Sequence, residues 1–77
     1  MPELKRFGSI SLRMYPDDHA PPHFHLVGPA FQVLVRISDL EVVAGSVRNA
    51  DIREPLRWAE ANRASLIAKW TELNERN

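Results

Sequence analysis

The chain contains no cysteine. Disulfides and thiolate metal sites are therefore excluded, and a fold that does without them suits a reducing cytosol. It carries no excess of charge of either sign, since ten basic residues balance ten acidic ones. Net charge therefore supplies no drive toward nonspecific nucleic-acid or membrane binding, although a local basic patch could still meet nucleic acid. No apolar run approaches the roughly 20 residues of a membrane-spanning helix. The start, Met1-Pro2-Glu3-Leu4-Lys5-Arg6, leads into patterned sequence without a signal-peptide core, so the cytoplasm is the expected compartment and no membrane partner is expected. Repeats, linkers and low-complexity segments are also missing. What is present is an ordinary globular balance, 44% hydrophobic and 26% charged residues in 77 positions. That length makes a single domain, residues 1–77. A domain this small buries only about 60% of its unfolded surface, so added burial through self-association or a small partner protein would help it.

The first half alternates with the period of β-strands. Ile10, Leu12 and Met14 alternate with Ser9, Ser11 and Arg13, predicting a strand over 6–15. Tyr15-Pro16-Asp17-Asp18 reads as a turn. A short strand is expected over 23–27, broken by Gly28-Pro29. Phe31, Val33, Val35 and Ile37 alternate with Gln32, Leu34, Arg36 and Ser38 and predict a strand over 30–37. After a tight Ser38-Asp39 connection, a fourth is expected over 40–46. Short connections imply an antiparallel meander. The last third is helical over 52–74, with Leu56, Ala59, Leu66, Ile67, Trp70 and Leu73 on one stripe. Its start is ambiguous. Asp51 and Glu54 have capping-box spacing, whereas Pro55 suits a first helical position. The expected fold is α+β: a mainly antiparallel four-stranded sheet with one long C-terminal helix across one face.

Two residues disturb the helical stripe. Arg63 falls near its middle, so it either snorkels, is rotated outward by a kink, or pairs with Asp39 or Glu41. Trp58 lies off the stripe, where it can cap a sheet edge or meet a partner. Trp58 and Arg63 are the candidate interface residues.

The richest chemistry lies in Asp17-Asp18-His19-Ala20-Pro21-Pro22-His23-Phe24-His25, which holds all three histidines within seven residues. Strand parity puts His23 and His25 on one side and Phe24 and Leu26 on the other. With Phe24 and Leu26 in the core, the histidines share the sheet's uncovered face with Arg13, Gln32 and Arg36. Three uses follow. His19, His23 and His25 can ligate zinc or another divalent metal, with Asp17 or Asp18 adding an oxygen. His19, His23 and His25 can act as acid and base beside phosphate-holding Arg13 and Arg36, as in a hydrolase, an RNase or an RNA-binding surface. The imidazoles can instead pin a proline-rich loop to the sheet through turn backbone and aspartate, needing no cofactor.

The H-x-P-P-H-F-H signature at His19–His25 resembles the bacterial family called domain of unknown function 4160. The resemblance runs from Met1-Pro2-Glu3 through Arg13-Met14-Tyr15 and Leu40-Glu41-Val42 to Trp58-Ala59, Arg63 and Trp70. Relatives mostly carry a small or polar residue where this chain has Leu26. The family has no established activity to carry over. Its members look like small cytoplasmic proteins, often encoded beside a second short protein of unknown function. The resemblance therefore implies a protein–protein interaction module in a toxin–antitoxin-like or regulatory pair, with a histidine-dependent hydrolase or RNA-binding protein as the alternative.

Overall fold

A computed structural model describes residues 3–74; the Met1-Pro2 of the family resemblance lies outside them. The alternation expected as one strand over 6–15 belongs to two: β1 (Glu3–Phe7) and β2 (Ile10–Arg13). Gly8 and Ser9 form the turn between them, with Phe7 opposite Ile10 and Gly8 at φ 62°. A glycine first in a two-residue hairpin loop supplies the positive φ that matches strand twist. A bulge between Glu3 and Lys5 keeps Leu4 packed against the core while Lys5 and Arg6 stay exposed.

The sheet continues through β3 (His23–Val27), β4 (Gln32–Arg36) and β5 (Val42–Ala44). All five strands are antiparallel neighbours in chain order. The meander is as expected, with five strands rather than four and a last strand of only three residues. Leu12, Leu26 and Val33 stand side by side across β2, β3 and β4, and Phe24 faces Val35. Together with Met14 and Ile37 these residues form the sheet's buried face.

The helical third departs most from expectation. A 3₁₀ turn (Asn49–Ile52) precedes α1 (Arg53–Ala61), and α2 (Arg63–Asn74) follows a break at Asn62. The capping-box reading of Asp51 and Glu54 fails. Residue 52 occupies the N-cap without a side-chain bond, and Asp51 pairs with Arg48 instead. Pro55 sits in the first turn, where a missing N–H leaves no bond unmade. At Asn62 the side-chain amide donates to the Trp58 carbonyl at 2.8 Å, beside the residue's own N–H at 3.0 Å. Asparagine thus competes with the helix for its carbonyls and ends it.

The break shifts the phase of the apolar stripe. Ile52, Ala59, Leu66 and Trp70 enter the core, whereas Ile67, expected on the stripe, is exposed. Arg63 does not pair with Asp39 or Glu41. Its Nε donates to the Ile37 carbonyl at 3.1 Å, giving a partly buried cation an acceptor at the end of β4. Trp58 packs edge-on against Phe7, with centroids 5.9 Å apart, and so caps the β1 side of the sheet.

Gly45, just after β5, has φ 86°, and a Cβ there would strike the Gln32 carbonyl and Val33. Gly8 has open space at the same position. Gly8→Ala is expected to cost about 1–2 kcal/mol for its left-handed backbone alone. Gly45→Ala should cost distinctly more, as measured by urea unfolding of both variants.

Candidate functional site

The site is built by the loop between β2 and β3. Pro16 and Asp17 make the expected turn, with Asp17 at φ 60°, a conformation aspartate tolerates better than most residues. Asp17 itself stays exposed, and Asp18 is delivered inward. The Asp18 main-chain N–H donates to Asn74 Oδ1 at 2.6 Å, which ties the loop to the end of α2. Asp18 Oδ1 accepts the His19 N–H at 3.1 Å. The Ala20–Pro21 peptide is cis. Beyond it, the Ile37 N–H donates to the Pro22 carbonyl at 3.1 Å and fastens the loop to the end of β4.

His23 and His25 share a side, as parity requires, and both reach the same oxygen. Asp18 Oδ2 lies 3.0 Å from His23 Nε2 and 3.2 Å from His25 Nε2. The other nitrogen of His23, Nδ1, lies 2.8 Å from the Pro21 carbonyl. The other nitrogen of His25, Nδ1, is buried without a hydrogen-bond partner. Aromatic contacts enclose both rings. Tyr15 meets His25 edge-on at 4.7 Å, and Trp70 lies 5.1 Å from the His23 ring.

The expectation that both histidines lie on an uncovered face is therefore corrected. The side chains of His23 and His25 are only 5% and 13% exposed, because the Asp18 loop and neighbouring aromatics cover them. His19 does not join them. Its ring is 96% exposed, with Nδ1 3.7 Å from Asp18 Oδ1.

The arginines are adjacent in register but engaged elsewhere. Arg13 stands opposite His25, and its Nε donates to Ser11 Oγ at 3.0 Å. Ser11 in turn donates to Glu3 at 2.6 Å, which, with Arg6, holds the Glu3 carboxyl below its ordinary value. Arg36 stands opposite His23 and grips Asp39 with two bonds, Nε at 3.0 Å and Nη2 at 2.6 Å. That fork holds Asp39 below its ordinary value and raises Arg36. The same geometry would hold a phosphate, but here a carboxylate of the chain already occupies the fork.

Sequence reasoning named Asp18, with Asp17 as the alternative, for an accessory metal oxygen, and an unspecified aspartate as the partner of loop-pinning imidazoles. It missed Tyr15, Trp70 and Asn74 as parts of the site. Asp18 was findable as an acidic residue at the end of a turn just before the histidines. The roles of Trp70 and Asn74 depend on where α2 ends in space, which no local pattern encodes.

Burial alone would raise the Asp18 pKa. The bond from His25, the field of His23 and the His19 N–H outweigh it, and the carboxyl lies below its ordinary 3.8. A depressed carboxylate contributes stability above its unfolded pKa, and that contribution is lost as pH falls through the lower folded value. Asp18→Asn should therefore lower stability at pH 6 and flatten its decline below about pH 4, relative to the unsubstituted chain. Denaturant unfolding across that range measures both effects.

The model of the family described as domain of unknown function 4160 matches residues 9–71, which include every strand from β2 onward and most of α2. No protein of curated function and no solved structure shows significant similarity to the chain. Over most of its length, including the whole histidine loop, this chain belongs to the domain of unknown function 4160 family.

Proposed function

We propose that the protein is a protein–protein interaction module of a small two-protein, toxin–antitoxin-like or regulatory system, and that a strand of its partner docks along β5. The observation that carries this reading is the difference between the two sheet edges. At the β1 edge, Lys5 and Arg6 are exposed, a bulge interrupts pairing, and Trp58 covers Phe7. Charges and bulges are the usual means of blocking edge-to-edge pairing. The β5 edge is Val42-Val43-Ala44, without a charge, and Val43 is 45% exposed.

Beside β5 lies a groove of about 400 Å³, lined by Leu40, Glu41, Val42, Asn49, Arg53 and Leu56. An added strand would use the free backbone groups of β5 for affinity and set an apolar side chain into this groove for specificity. Glu41 and Arg53 offer the groove one charge of each sign. Neither Trp58 nor Arg63, the interface candidates read from sequence, is needed for this. Both serve contacts within the chain.

The alternative, a histidine-dependent hydrolase or RNA-binding protein, asks for accessible imidazoles beside free arginines. His23 and His25 are covered, and Arg13 and Arg36 hold Ser11 and Asp39. The geometry therefore favours the binding module.

Co-expression with a short protein of the kind that family members are often encoded beside should yield a one-to-one complex by light scattering. Val43→Lys, at an exposed position, should leave the fold intact and weaken that complex about tenfold or more. A protein that stays monomeric beside its neighbour, or a complex indifferent to Val43→Lys, would rule the reading out. A homodimer broken by Val43→Lys would replace the partner with a second copy of this chain. Trp58→Ala should instead lower stability by about 1–3 kcal/mol, since it uncovers Phe7 inside the fold.

A further inference from the structure

We infer that Asp18, His23 and His25 form a zinc-binding site, with His23 Nε2, His25 Nε2 and Asp18 Oδ2 as the three protein ligands. The three groups come together from one turn and one strand, beside the rings of Tyr15 and Trp70. The Pro21 carbonyl can only accept, so His23 Nδ1, at 2.8 Å from it, carries the proton. A neutral imidazole has one such proton, which leaves Nε2 as a bare lone pair. In that neutral form the Nε2 lone pair and Asp18 Oδ2, 3.0 Å apart, are both available to one metal ion.

A metal ion bound here takes the place of the protons through which the two rings otherwise meet Asp18, so that all three groups ligate in their deprotonated forms. His25 Nε2 lies 3.2 Å from the same oxygen, so the three candidate ligand atoms form one cluster. All three lie within 4.8 Å of one another. Ligand atoms on a tetrahedral zinc with bonds of about 2.0–2.1 Å are about 3.3 Å apart. The two nitrogen–oxygen separations are close to that edge length. The Nδ1–H of His23 bonded to a main-chain carbonyl is also the usual way a ligating histidine is oriented and its basicity raised. Calcium and magnesium prefer all-oxygen sites, whereas two imidazoles and a carboxylate suit zinc. Three protein ligands leave a fourth tetrahedral position for water.

The site is independent of the β5 edge, so its test and that of the interaction reading fail separately. Metal-free full-length protein is titrated with zinc against a chromophoric chelator, and with cobalt as a spectroscopic substitute. One equivalent of zinc should bind and raise the melting temperature, because a ligand of the folded state alone stabilises it. Cobalt should give the intense visible bands of a tetrahedral centre. Asp18→Asn and His25→Gln should each weaken zinc binding by at least about tenfold. The stoichiometry and the cobalt spectrum of the unsubstituted protein stand even if a variant fails to fold. Absence of one-to-one binding would overturn the inference. So would an affinity unchanged by Asp18→Asn and His25→Gln but lost in His19→Ala, or a doubly protonated His23 ring in nitrogen NMR spectra at saturating zinc.

Discussion

Asp18 joins three parts of the chain that lie far apart in sequence. Its main-chain N–H donates to Asn74 at the end of α2, and its carboxylate meets the rings of His23 and His25 on β3. The proline loop around it is fastened again where Pro22 accepts the Ile37 N–H at the end of β4. Loop, sheet and helix end therefore close on one carboxylate. A buried carboxylate is costly unless it is hydrogen-bonded, and the partners gathered here hold it in its ionised form.

That closure explains why the histidines are covered rather than displayed. A five-stranded meander with helices on one face leaves its other face open in principle. Here the β2–β3 loop returns over the start of β3, and Tyr15 and Trp70 stand against the two rings. The arginines next to them in register turn away to Ser11 and Asp39. The cluster is therefore a covered one, with both imidazoles turned toward a carboxylate of the chain. The β5 edge, by contrast, is uncharged and leaves Val43 exposed beside a groove.

Much of the fold was readable from alternation alone. Leu12, Phe24, Leu26, Val33, Val35 and Ile37 are buried as their parity demands, because a pleated strand with one covered face leaves little choice of register. The misreadings have local causes. Gly8-Ser9 interrupts an otherwise continuous alternation, so a hairpin passed for one strand. Asn62 lies inside a continuous helical pattern, and only the bond from its side chain to the Trp58 carbonyl shows that the helix stops there. Once it stops, the stripe changes phase, which moves Ile67 outward and brings Arg63 to the Ile37 carbonyl.

The residue pattern was sufficient for the α+β class, the antiparallel order, the shared side of His23 and His25, and membership in the domain of unknown function 4160 family. Each follows from periodicity or from a contiguous motif, and both act over a few residues. Tertiary structure alone decided that Asp18 rather than Asp17 meets the histidines, that His19 stays outside, and that Trp70 and Asn74 close the site. Those outcomes depend on where a turn at φ 60° aims the chain and on where a broken helix ends. Both are set by packing between segments some fifty residues apart, beyond the reach of any local pattern.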